Sequence, residues 1–203
     1  HLPPGKLGWR IAKAGQELAQ RLAASAFGYR TGPVSAVDVD LDLGAGRPPT
    51  GTVNPVYQDR LVSVTNSTLG PKHLLRGWIQ LLALGAALPG DWSAVCIGKR
   101  RGDDVAVRSF DAPRDSPALL KNLVAIRDSG LREPIPLPLK TSYAWAEARR
   151  TRADAMREAG YKWRSGKFPG EDAEPAHVRA WGPDAPLRVL LDPAPEEDRV
   201  SGD

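Results

Sequence analysis

From Ser35 to Leu43 the chain alternates strictly: Val37, Val39, Leu41 and Leu43 fall on one face, Asp38, Asp40 and Asp42 on the other. That is the period of a half-buried strand. Upstream, Trp9 to Phe27 places Ile11, Leu18, Leu22 and several alanines at helical spacings, with Gly28 as a C-terminal stop. Downstream, Gly51–Tyr57 and Arg60–Asn66 are β-rich runs meeting at Gln58-Asp59, which predicts a hairpin with a largely apolar second arm. A helix is expected from about Lys72 to Leu88, ended by Pro89-Gly90. Trp92–Lys99 and Val105–Phe110 predict a second hairpin around Arg100–Asp104, where Gly102 suits a turn. Ser116-Pro117 then opens a helix to about Asp128, with a hydroxyl at the cap and proline at the first position.

This order predicts a mixed α/β (α+β) fold in which helices flank a central mixed β-sheet. Beyond it, LREPIPLPL reads as extended because of its three prolines, a helix is expected over Ser142–Gly160, and the remainder reads as loop or peripheral decoration. The expected organisation is one compact domain over 1–170 and an acidic, Pro/Gly-rich extension over 171–203. Trp9, Trp78 and Trp92 are assigned to the core.

Composition narrows the class. With 203 residues, 41% hydrophobic and 26% charged, the chain is long enough to bury a core and unlike a disordered sequence. No apolar run approaches the roughly 20 residues of a membrane span; Gly77–Leu88 is the longest candidate, so a soluble protein is expected. The opening HLPPGKLGW has no initiator Met and none of the regions of a signal peptide, and the chain is expected to be a piece of a longer one. A lone cysteine, Cys96, sits among apolar neighbours, which suits a buried side chain and a reducing cytoplasm.

Candidate chemistry is mostly removed by spacing. Asp38, Asp40 and Asp42 suggest a hard-cation cage, but a calcium loop needs glycine and glutamate where Leu43 and Pro49 stand; acids on the wet face of a strand are the better account. His1, His73 and His177 are widely separated, so no zinc pattern is formed. Nucleophile elbows and phosphate-cradling glycine loops are missing as well.

The segment GTVNPVYQDRLVSVTNSTLG resembles the core hairpin of RecB-like nucleases of the PD-(D/E)XK superfamily, which typically read G-[FY]-I-D-L-[IV]-[FY], a turn, and a strand ending D-Y-K-S-N. Gly51, Val53, Val56, Tyr57 and Ser67 fall on the glycine, apolar and serine positions. Asn54, Val64 and Asn66 fall on the two carboxylates and the lysine, and Gln80 is followed four residues later by Leu84 where the family carries Q-x-x-x-Y. Metal-assisted phosphodiester cleavage needs anionic oxygen ligands, so the resemblance implies a restriction-endonuclease-like core without catalytic residues. Five ordered segments extend the likeness: LPPGKLG, VDVDLDLG, RLVSVTNSTLGPKHLLRGWIQLLAL, DSPALLKNLVAIRDSGLREPIPLP and KTSYAWAEA. Together they resemble the C-terminal region of the RecC family, the gamma chains of exodeoxyribonuclease V. What that family implies is a non-catalytic module in a helicase-nuclease complex that processes DNA ends. Its partners would be RecB, RecD, the rest of the RecC chain and DNA, in the cytoplasm and with no membrane. No cofactor is implied for this region itself, magnesium and ATP belonging to the partner subunits. An alternative is an active metal-dependent exonuclease using Asp40, Asp42 or Asp59; another is a pure docking module.

Charge singles out one further stretch. From Lys140 to Lys167, Arg149, Arg150, Arg152, Arg157, Lys162, Arg164 and Lys167 outweigh the acids and interleave with Tyr143, Trp145, Tyr161 and Trp163. Cations with aromatics suit backbone tracking and base stacking. Arg149, Arg150, Arg152, Arg157, Lys162, Trp163, Arg164 and Lys167 are therefore the nucleic-acid-binding candidates. From Glu171 onward the sign reverses, acids outnumbering Arg179, Arg188 and Arg199.

Overall fold

A computed structural model describes residues 3–44, 48–100, 104–164 and 166–191. The chain divides into two compact units, 1–128 and 129–203. Among the described residues no helix is long and apolar enough to cross a membrane.

The first unit is a five-stranded sheet in sequential order: β1 (Val34–Asp40), β2 (Thr50–Tyr57), β3 (Arg60–Thr68), β4 (Ser93–Lys99) and β5 (Val105–Asp111). Neighbours pair antiparallel except β3 and β4, which are parallel. A parallel pair needs a crossover, and helix α2 (Pro71–Ala87) supplies it. Strand β4 is buried from Ala94 to Gly98, as its unbroken apolar run AVCIG requires of a strand covered on both faces.

Alternation divides the core in two. Leu61 and Ala94 join Val39, Val53, Val56, Leu81 and Leu84 on the α2 side. Their sequence neighbours Val62 and Val95 join Ile97, Leu22 and Ala26, the last two from helix α1 (Gly5–Phe27). The mixed α/β class expected from the pattern stands, with one helix on each face of a mixed sheet. Helix α3 (Ser116–Gly130) begins at buried Ser116, whose hydroxyl donates to Pro113 O.

Two expectations change in the first unit. Trp9 is 64% exposed and not in the core. Only the C-terminal half of α1 meets the sheet, and Trp9 lies about 20 Å along the axis before Leu22, with Lys13 Nζ 5.2 Å above its ring. Trp78 and Trp92 do pack on the core. Strand β1 stops at Asp40 rather than Leu43, because Asp42 accepts from Gly44 N at 2.8 Å and turns the chain. Part of the turn expected around Gly102 lies outside the described residues.

The second unit is helical. Instead of one helix over 142–160 there are two, α4 (Leu139–Arg150) and α5 (Ala155–Trp163). Arg152 has φ +57°, and Asp154 caps α5 by accepting from Arg157 N at 3.0 Å, the usual work of an aspartate at this position. The stretch after Gly160, expected as loop or peripheral decoration, carries the end of α5 and then α6 (Pro175–Trp181) between short 3-10 turns at Glu171–Ala173 and Leu187–Leu190. The described part of the expected extension, 171–191, belongs to this unit. Trp163 is its central side chain, 1% exposed, donating to Ala185 O and flanked by the rings of His177 and Trp181.

Candidate functional site

Two concavities collect the sequence candidates, one in each unit. In the first unit a cleft of about 420 Å³ is lined by Asn54 of β2, Ser63, Val64 and Thr65 of β3, His73, Arg76 and Gln80 of α2, and Arg30 after α1. Asn54 and Val64 thus line the same space as Gln80. Neither offers an anionic oxygen, and among the described residues no carboxylate lines the cleft.

Asn66 does not line it. The β3–β4 register passes from Val64↔Ile97 directly to Thr68↔Lys99, so Thr65, Asn66 and Ser67 oppose Gly98 alone. Glycine permits this bulge: a Cβ on Gly98 would lie 2.8 Å from Thr65 Cγ2 and 3.1 Å from Ser67 O. Asn66 is lifted out of the ladder and left exposed.

His73 has the most constrained chemistry in the cleft. Its Nε2 is shut off from solvent and has no hydrogen-bond partner among the described residues. Burial lowers its pKa from the ordinary value, assisted by the positive charges of Lys72 and Arg76. Its carbonyl receives the Cys96 thiol at 3.9 Å, and burial pushes that thiol up in pKa. Cys96 is buried as expected. Arg30 and Arg76 escaped sequence reading, and His73 was weighed there only as one of three scattered histidines, because Arg30 lies some forty residues before α2 and the three form no local pattern.

Two of the three alternating acids find local partners. Asp38 accepts from Thr52 Oγ1 across the β1–β2 pair at 2.7 Å, Asp42 holds its own turn, and Asp40 is exposed. Among the described residues no group of three His, Cys, Asp or Glu side chains comes together.

In the second unit a groove of about 720 Å³ runs along α5 and the loop that follows it. Arg157, Lys162, Arg164 and Lys167 line it, joined by Lys140 from the start of α4. Tyr161 and Phe168 line the same groove and are 70% and 75% exposed. Phe168 was not singled out by sequence, although its place beside Lys167 in the run KFPG was a usable signal. Two of the cations have nearby acids, Arg157 with Glu158 at 3.2 Å and Lys140 with Glu174 at 3.1 Å. Such exposed pairs are weak and open to a competing phosphate.

Two groups of candidates fall outside the groove. Trp163 is buried and offers no face to a base, which corrects its place in the candidate set. Arg149, Arg150 and Arg152 sit at the end of α4 and in the turn after it and do not line the groove. Arg150 is held by Glu147 at 2.6 Å, and that hydrogen bond, then the charge of Glu147, raises its pKa.

Over residues 1–150 the sequence matches the model of the RecC C-terminal domain. The chain belongs to that family. Among curated relatives, the RecBCD enzyme subunit RecC of Mycolicibacterium smegmatis is 57% identical over 204 residues, and that of Mycobacterium tuberculosis strain H37Rv is 51% identical over 205. Both alignments cover all of this chain and 19% of the relative. The chain therefore spans about a fifth of the length of these proteins. The family match ends at Arg150, before the groove along α5, whereas the mycobacterial relatives extend across it.

Proposed function

We propose that this chain is the non-catalytic, nuclease-like C-terminal part of a RecC-type subunit, serving assembly and DNA handling within a RecBCD-type helicase-nuclease. The carrying observation is the cleft of the first unit: Asn54, Val64 and Gln80 line it with Arg30 and Arg76, and among the described residues no carboxylate does. Holding a divalent cation and activating water both need anionic oxygens. A neutral amide is a weak ligand for such a cation, a valine side chain offers it nothing, and the two guanidiniums lining the same cleft repel it. In this reading the sheet is a degenerate restriction-endonuclease-like core, RecB and RecD are the partners, and metal and nucleotide chemistry reside in them.

DNA handling is assigned to the groove of the second unit. Its cations lie along α5 and the adjoining loop and at Lys140 of α4, and Tyr161 and Phe168 present exposed rings, the combination that holds single strands without reading sequence.

Incubating the 203-residue chain with single- and double-stranded DNA and magnesium or manganese tests the catalytic half of the proposal. No cleavage is expected. Cutting that disappears in Asn54→Ala would refute it. For the groove, a Lys162→Gln, Lys167→Gln double variant is expected to weaken single-strand binding and to lower the salt slope by roughly 0.7 per lost phosphate contact. Unchanged affinity and slope would leave a docking role with no DNA contact.

A further inference from the structure

The cleft that lacks carboxylates has a positive chemistry of its own. Its charged lining residues are Arg30 and Arg76, both exposed, and Lys72 stands close enough to depress the neighbouring histidine. Neutral polar groups of Asn54, Ser63 and Gln80 face the same space. His73 adds a ring nitrogen that is buried and unpartnered among the described residues. Such a nitrogen has been stripped of water without receiving a protein acceptor or donor in exchange, and a ligand oxygen in the cleft would restore the missing bond. Of the elements around His73, α2 contributes Lys72 and Arg76, the segment after α1 contributes Arg30, and β4 contributes only the neutral Cys96.

We propose that this cleft binds a phosphate oxyanion, with Arg30 and Arg76 as its charged ligands and His73 as a positioning donor. Guanidinium forks match phosphate oxygens two at a time. The volume of about 420 Å³ exceeds what a bare anion fills and lies within the range of small-molecule sites. The ligand is therefore either inorganic phosphate or the terminal phosphate of a DNA strand. The inference rests on the residues lining the cleft and holds whatever the ancestry of the hairpin. Cleavage activity would not remove it, and its failure would leave the absence of cleavage untouched.

Histidine ring NMR on the 203-residue chain provides the test, since His1, His73 and His177 are the only histidines. His177 lies in the second unit with Nδ1 2.6 Å from Glu171 O and serves as an internal control. Adding inorganic phosphate at constant ionic strength should shift the His73 signals saturably, raise the His73 titration midpoint and leave His177 in place. Arg30→Gln and Arg76→Gln should each weaken the affinity about tenfold, the loss of one charged hydrogen-bond partner, with thermal stability unchanged and part of the affinity kept in Arg76→Lys. Parallel drift of all three histidines, or full affinity in both glutamine variants, would overturn the proposal. Short oligonucleotides with a 5′-phosphate or a 5′-hydroxyl separate the sources. Competition by the phosphorylated strand alone assigns the site to a DNA end, and competition by neither assigns it to inorganic phosphate.

Discussion

Replacing Glu171 by alanine should loosen the second unit more than any single loss from its surface. The carboxylate is 2% exposed and accepts three hydrogen bonds, from Lys140 N at 2.9 Å, Thr141 N at 2.7 Å and Thr141 Oγ1 at 2.8 Å. Two of these donors are N–H groups of the first turn of α4, whose N-cap is Pro138 and whose first turn holds no acid. A helix start leaves several amides unsatisfied, and here a side chain 30 residues downstream satisfies them while placing a negative charge at the positive end of the helix dipole. Alanine would leave three buried donors without a partner at about 1–3 kcal/mol each, partly recovered by water entering the space. A net loss of about 3 kcal/mol is expected, large against a typical stability of about 5–15 kcal/mol. Glutamine keeps one acceptor oxygen but turns an NH₂ toward a donor, so about half that loss is expected. Urea unfolding followed by tryptophan fluorescence measures the change, and hydrogen exchange at Lys140 and Thr141 localises it. A loss below about 1 kcal/mol with both amides still protected would refute the capping role.

Other substitutions test separate contacts. Gly77→Ala places a methyl 2.5 Å from buried Cys96 Sγ; overpacking of about 1–3 kcal/mol should outweigh the helix-propensity gain of up to about 1 kcal/mol, and Cys96→Ala should rescue the variant in a double-mutant cycle read by urea midpoints. Tyr161→Ala and Phe168→Ala should each weaken single-strand DNA binding by about 1–3 kcal/mol in fluorescence anisotropy while leaving the melting temperature in place, because both rings are exposed. His73, with its pKa lowered from 6.5, binds protons less readily folded than unfolded. Stability should therefore fall as pH drops from 6.5 toward the depressed folded value, and His73→Gln should flatten that part of a urea-midpoint profile taken between pH 7.5 and 5.

Local pattern determined the elements of the first unit. The period-two run at Val37, Val39 and Leu41, the unbroken AVCIG of β4 and the proline-opened helix at Ser116 each carry their structure in neighbouring residues, because strand and helix periods are local properties. The same locality made the hairpin of β2 and β3 legible. Charge along the chain also pointed to the stretch that forms the groove. What only tertiary structure decided depends on residues far apart in sequence. Trp163 and Trp9 exchanged their expected places, the first buried by Ala185, His177 and Trp181, the second carried beyond the sheet by the length of α1. Gly98, on another strand, lifts Asn66 out of the ladder. Glu171, which looked like the first residue of an acidic tail, caps a helix that begins 32 residues earlier, at Leu139. Arg30, His73 and Arg76 become a positive cleft only when α2 crosses beside β3. A residue's neighbours in sequence set its backbone preference, but its burial and its partners are set by which elements pack against it, and composition and spacing do not encode that packing in any local window.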